Sequence, residues 1–276
     1  MASVIVGNSL GLVNNAANVP LLQNGAAATG RSGEKVMVNA ATGNLVIQRQ
    51  DEMLSGRGPD LELLRTYNSR GVVDYDNNDN WQLGFNRKLK TLTTKNPNVG
   101  AVTTVSAITR VEADGGESIY TWDSARQAYL GRDGAGSYDT LTYNATTKQW
   151  TWTDNDRSVT ETYDWLTSQG NLLTQTDSDG NAVSFTYVNN LLTQVLSASG
   201  EKTTLTYTNT NLTQVSTVNA SGIATTRVRY TYTTSNRLSR VTVDLSPQDN
   251  SIADNKTYLT DYTYVSAKST QVLSMT

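Results

Sequence analysis

The chain of 276 residues has no cysteine and no histidine, only 4 prolines, and 2 phenylalanines beside 14 tyrosines and 5 tryptophans. Without thiols it can form no disulfide and offer no thiolate nucleophile, and without imidazole it has no histidine base and no Cys/His zinc site. Absent cysteine fits a reducing cytosol or an exported protein that avoids disulfides, and so selects neither. Charge is scarce as well: 17% of residues are charged, against ~25% in an average domain. A net charge of −3 and a pI near 5.1 argue against a nucleic-acid binder, which is usually basic. No apolar run reaches the ~18 residues that a membrane span needs. The start, Met1-Ala2-Ser3-Val4-Ile5-Val6-Gly7, has no Lys or Arg before Arg31, so it lacks the basic beginning and long apolar stretch of a secretory signal.

What fills the space is 41 threonines and 26 asparagines. Threonine with tyrosine and tryptophan suits a pleated, half-buried surface, whereas Thr and Asn are weak helix formers. The expectation is an all-β fold. Residues 1–33, rich in Ala, Asn and Gly, read as a flexible or partly helical leader, with Leu10–Leu22 as the helical candidate. Residues 34–162 read as an introductory β region. Val36-Met37-Val38 and Leu45-Val46-Ile47 flank an Asn/Gly turn and predict a hairpin. After the loop Ser55-Gly56-Arg57-Gly58-Pro59-Asp60, the alternation puts Leu61, Leu63, Arg65 and Tyr67 on one strand face. Tyr120-Thr121-Trp122 and Trp150-Thr151-Trp152 set two aromatics on one face with Thr opposite. Those rings read as core, with a carbohydrate platform as the alternative.

Residues 163–276 repeat. Leu172-Leu173-Thr174-Gln175 returns as Leu191-Leu192-Thr193-Gln194, as Asn211-Leu212-Thr213-Gln214 and, loosely, as Arg237-Leu238-Ser239-Arg240. Taking Leu173, Leu192, Leu212 and Leu238 as the recurring leucine, glycine turns follow at Gly180, Gly200 and Gly222, and strands then end at Tyr187, Tyr207 and Tyr232. Each unit is two strands joined by a turn, and because a lone hairpin is marginal in water, the units must stack side by side. The leucine and the residue three places on (Val195, Val215, Val241) break strict alternation, which predicts a bulge or strand entry between them.

These units resemble the RHS/YD-repeat family. Tyr163-Asp164 followed by Gly170-Asn171-Leu172 is the fullest match to its Tyr-Asp…Gly-x-Leu pattern. Later units keep Tyr, Leu, Val and Gly and lose the Asp. Upstream, Gly43-Asn44-Leu45 through Gly58-Pro59 to Arg65-Thr66-Tyr67-Asn68-Ser69-Arg70 is similar to the segment that introduces such repeats. The resemblance implies stacked antiparallel hairpins in an extended, curved sheet, part of a hollow shell. It also implies a much longer protein, exported or surface-bound by bacteria without a signal peptide, whose partners are further repeats and an enclosed C-terminal toxic domain. The chain itself is then read as an N-terminal piece with no catalysis and no cofactor. The alternative is a cell-surface adhesion module that binds carbohydrate.

Other constellations read as structural. Asp74, Asp76, Asn78 and Asn80 mimic the odd positions of a calcium loop, but Asp79 replaces its glycine and Phe85 its closing glutamate, so a polar turn is favoured. Asp154-Asn155-Asp156 and Asp177-Ser178-Asp179 read as turns. Arg87-Lys88-Leu89-Lys90 reads as the solvated face of a strand. No framework singles out a carboxylate pair for glycoside hydrolysis.

Overall fold

The computed structural model describes residues 3–5, 34–39, 42–54, 58–59, 61–71, 76–91, 107–113, 115–131, 138–154, 158–165, 169–219 and 221–276. The leader lies outside these apart from residues 3–5, as do Gly56, Asp74, Asp133-Gly134 and Asp156. The described residues form strands and one 3-10 turn at Pro247–Asp249, and none is α-helical.

Five strands make the first sheet in chain order: β1 (Ser3–Ile5), β2 (Lys35–Asn39), β3 (Leu45–Leu54), β4 (Leu61–Asn68) and β5 (Trp81–Leu83). The hairpin expected around residues 36–48 is the β2–β3 pair, with Val38 opposite Leu45. Among the described strands only β1 and β2 run parallel.

The next eight strands close on themselves. They are β6 (Lys88–Thr91), β7 (Ala107–Val111), β8 (Glu117–Asp123), β9 (Ala128–Gly131), β10 (Thr140–Asn144), β11 (Gln149–Asp154), β12 (Val159–Tyr163) and β13 (Gln169–Thr176). Each pairs antiparallel with the next, and β13 returns to β6 through Gln169–Asn171. An eight-stranded barrel has an interior just wide enough for side chains to fill. Here Leu89, Ile108, Tyr129, Leu141, Trp150 and Leu172 fill it. Trp150 has no solvent exposure and meets Tyr129, Tyr143 and Trp165 at ring-centroid distances of 5.4, 5.1 and 5.5 Å. Trp152 is buried too, so the carbohydrate-platform reading of these two rings is withdrawn.

β13 is also a branch. Its far half, Thr174–Thr176, pairs with β14 (Ala182–Val188), and from there the sheet runs open through seven further strands. These are β15 (Leu191–Leu196), β16 (Lys202–Thr208), β17 (Asn211–Val218), β18 (Ala224–Tyr232), β19 (Leu238–Asp244), β20 (Thr257–Tyr264) and β21 (Val272–Met275). The stacked hairpins expected from the repeat are present; the barrel ahead of them is a feature the periodicity did not announce. The first sheet packs on this open sheet. Trp81 sits between Tyr67 and Tyr262, with centroids 5.2 and 4.7 Å away, and Phe85 meets Phe185 at 6.0 Å.

Candidate functional site

The repeat unit is built on one cross-strand pair. Tyr187 lies opposite Leu192, Tyr207 opposite Leu212, and Tyr232 opposite Leu238. One residue further along, the register shifts: Thr186 faces Gln194, so Thr193 is an extra residue on its strand. Thr213 and Ser239 are the extra residues of the next two units. Each donates its hydroxyl to the carbonyl across the bulge, Thr193 to Thr186 at 3.2 Å, Thr213 to Thr206 at 3.1 Å and Ser239 to Thr231 at 3.0 Å. The bulge lets a leucine and a valine three places apart face the same side. Val195, Val215 and Val241 are buried opposite Phe185, Leu205 and Tyr230.

The same register corrects the first unit. Tyr163 pairs with Leu172, and Thr162 with Thr174, so Leu173 is the bulged residue and Leu172 the buried one. Reading the second of two adjacent leucines as the repeat position put the first unit out by one residue. Val272 and Leu273 behave alike in the last strand: Val272 faces Tyr264, and Leu273 bulges outward and is 67% exposed.

At the opposite end of the hairpins, Gly180, Gly200 and Gly222 adopt left-handed φ values of 83°, 88° and 78°. In each turn the glycine N–H donates to the carbonyl three residues back, on Asp177, Ser197 and Asn219. Those side chains also cap the turn: Asp177 accepts from the N–H of Asp179 and of Asn181, both at 2.9 Å, and Asn219 from Ser221 and Ile223.

The Tyr-Asp motif has a separate task. Between Tyr163 and Leu172 the connection is long, and the Asp164 carboxylate ties it by accepting the Asn171 N–H at 2.6 Å. Asp164 N–H donates to the Asn171 carbonyl at 3.1 Å. A Cβ on Gly170 would lie 2.1 Å from the Asp164 carbonyl oxygen, so only glycine fits. In the next unit a two-residue Asn189-Asn190 turn, both at positive φ, replaces this loop and leaves an Asp no work.

Two buried ionic clusters were not foreseen. In the barrel, Glu161 accepts from Arg110 Nη2 at 2.8 Å and Nε at 3.1 Å, and also from Arg87 and the Tyr163 hydroxyl. Arg110 stacks 3.8 Å over Trp152. Burial opposes the carboxylate charge, but Arg110 and Arg87, with the Tyr163 hydrogen bond, hold its pKa down at about 2. Burial pushes the Tyr163 hydroxyl well above its usual range. Between the sheets, Asp51 receives Arg65 at 2.7 and 3.1 Å and the Tyr230 hydroxyl at 2.9 Å, while Arg65 donates to the Tyr262 hydroxyl at 2.9 Å. Both carboxylates are fully engaged by donors, which is the chemistry of a structural tie.

The segment 76–80 is a docking turn. Asp79 accepts the N–H groups of Trp81 at 2.9 Å and of Leu238 at 3.0 Å, joining β5 to the repeats. Asn80 donates to Thr270, and the Asn78 carbonyl accepts from Arg237. Asp76 borders a small cleft with Asn86 and Asn190, floored by Leu192 and Tyr207. Among the described residues no three Asp or Glu side chains gather as a metal site. The Arg87–Lys90 run is not a solvated face. Arg87 binds Glu161, Lys88 and Leu89 are fully buried, and Lys90 pairs with Glu117.

Residues 35–120 match a domain of unknown function (DUF6531), and residues 167–202 match the RHS Repeat. No curated protein matches the chain. The second match covers the Tyr187–Leu192 pair with its bulge and the glycine turns at Gly180 and Gly200. The chain thus carries a DUF6531 domain followed by an RHS repeat, the combination typical of RHS/YD-repeat proteins.

Proposed function

We propose that this chain is a wall segment of an RHS-type shell, part of an exported bacterial toxin or competition effector that encloses a C-terminal toxic domain. The observation that carries the reading is the sheet from β13 to β21, in which each hairpin repeats the register of the one before. Among the described residues β21 pairs on one side only, with β20, so its other edge can receive the next hairpin of the same kind. The barrel ends the sheet at the other side, because β13 uses β6 and β12 to close a ring. The role assigned here is that of the sealed end of the shell, with the first sheet as an inner layer. Its carboxylates serve the wall, and any toxic activity belongs to another domain.

The test is electron microscopy of the full-length gene product, with limited proteolysis of its C-terminal region. A hollow particle whose C-terminal domain resists protease until the shell is opened is the expected result. A full gene that ends soon after Thr276, or a particle with no internal volume, overturns the reading.

A further inference from the structure

The seam that closes the barrel carries three side chains in one row across the sheet. Asn171 on β13 lies directly opposite Lys88 on β6, and on its other flank it exchanges hydrogen bonds with Asp164. Directly opposed residues of antiparallel strands share a face, with Cβ atoms ~5 Å apart, so a lysine side chain can reach its neighbour's amide carbon. The neighbours Leu89 and Leu172 point into the barrel core, which puts Lys88 and Asn171 on the outer face. There they are covered: Lys88 is 0% exposed and Asn171 2%. The Asn171 amide is held from one side only. Its Nδ2 donates to Asp164 Oδ2 at 3.4 Å, whereas its buried Oδ1 accepts no hydrogen bond.

We propose that Lys88 and Asn171 form an intramolecular isopeptide bond, with Asp164 as the proton relay, so that the barrel seam is sealed covalently. The lone pair of the neutral Lys88 amine adds to Cγ of Asn171, forming the Nζ–Cγ bond. The proton lost from Nζ passes through the Asp164 carboxylate to Nδ2, to which Asp164 is already hydrogen-bonded. The Cγ–Nδ2 bond then breaks and ammonia leaves. Nothing is oxidised or reduced, and no co-reactant is needed. Burial supports the first step: it lowers the Lys88 pKa to about 8 against the opposing pull of Asp164 and Asp76, so about a tenth of the amine is neutral at pH 7.

The test is intact-mass spectrometry of the purified, denatured chain, followed by tryptic mapping. The chain is expected to be lighter than its composition by one ammonia, and the Lys88 and Asn171 peptides to elute as one branched species. K88R and N171A are expected to restore the full mass, and D164A to leave most molecules unjoined. Peptide mapping of the unmodified sequence decides the matter even if a variant fails to fold. Two linear peptides at the full calculated mass overturn the proposal. So does an ammonia loss confined to the Asn171 peptide, which marks a succinimide.

Discussion

At the scale of single residues, the two charges that matter most sit where alternation demands apolar side chains. Glu161 occupies the strand position that Phe185, Leu205 and Tyr230 hold in the later units, opposite the residue three places after the repeat leucine. Arg65 shares its face with Leu63 and Tyr67. Breaking one side of such a buried pair leaves the partner's charge uncompensated, at a cost of about 3–5 kcal/mol. Glu161→Gln is therefore expected to lower unfolding free energy by that amount, read from the urea midpoint at neutral pH. Because the folded carboxyl titrates near 2 and an unfolded one at ~4.3, its stabilisation is complete above the unfolded value and disappears as pH falls through the folded one. Urea unfolding of the parent between pH 5 and 2 should show a loss on the order of 3 kcal/mol that the Glu161→Gln variant lacks. An arginine in an apolar register was visible at Leu61-Leu63-Arg65-Tyr67, but its partner was not. Asp51 lies on the adjoining strand, and Tyr230 and Tyr262 come from the far end of the chain.

At the scale of the hairpin, the sequence was most readable. The break in alternation predicts a bulge, and the bulge lies between leucine and valine in every unit where those residues recur. Its chemistry was hidden, because a Thr in a Thr-rich chain looks ordinary. These bulge hydroxyls are exposed, so each bond is worth about 0.5 kcal/mol, the low end for hydrogen bonds. Replacing Thr193 and Thr213 by Val together should cost ~1 kcal/mol in chemical denaturation, since separate sites add. Leu273→Thr should move the midpoint the other way, by supplying the hydroxyl and removing an exposed apolar side chain. Two glycines separate space from strain. Gly170→Ala forces a Cβ against the Asp164 carbonyl and is expected to cost ~3 kcal/mol or more. Gly180→Ala has open space and a left-handed φ of 83°, and is expected to cost only ~1–2 kcal/mol.

At the scale of the whole molecule, the first sheet and the repeats are joined by Trp81, Asp79 and the Asp51–Arg65 cluster. Trp81→Ala is expected to cost about 3–5 kcal/mol and to expose the Tyr262 face, seen as a loss of midpoint with a gain in dye binding. This assembly was the least legible part. Which strand closes a barrel depends on the pairing of β6 with β13, far apart in the chain, and no local pattern in Arg87–Lys90 or Gln169–Asn171 specifies it. The outer Lys88–Asn171–Asp164 row was legible in part: Asp164 and Asn171 stand in the Tyr-Asp…Gly-x-Leu pattern, but nothing local sets Lys88 beside them.

The branch at β13 has a consequence for how the molecule comes into being. Each hairpin after it is local in sequence and finds a finished strand to add to, whereas the ring before it must bring distant segments together first. Local contacts form fast and distant ones slowly, and a chain is synthesised from its N-terminus. The ring is then the slow nucleus, and the hairpins that follow assemble in order on a template, each made complete by the arrival of the next.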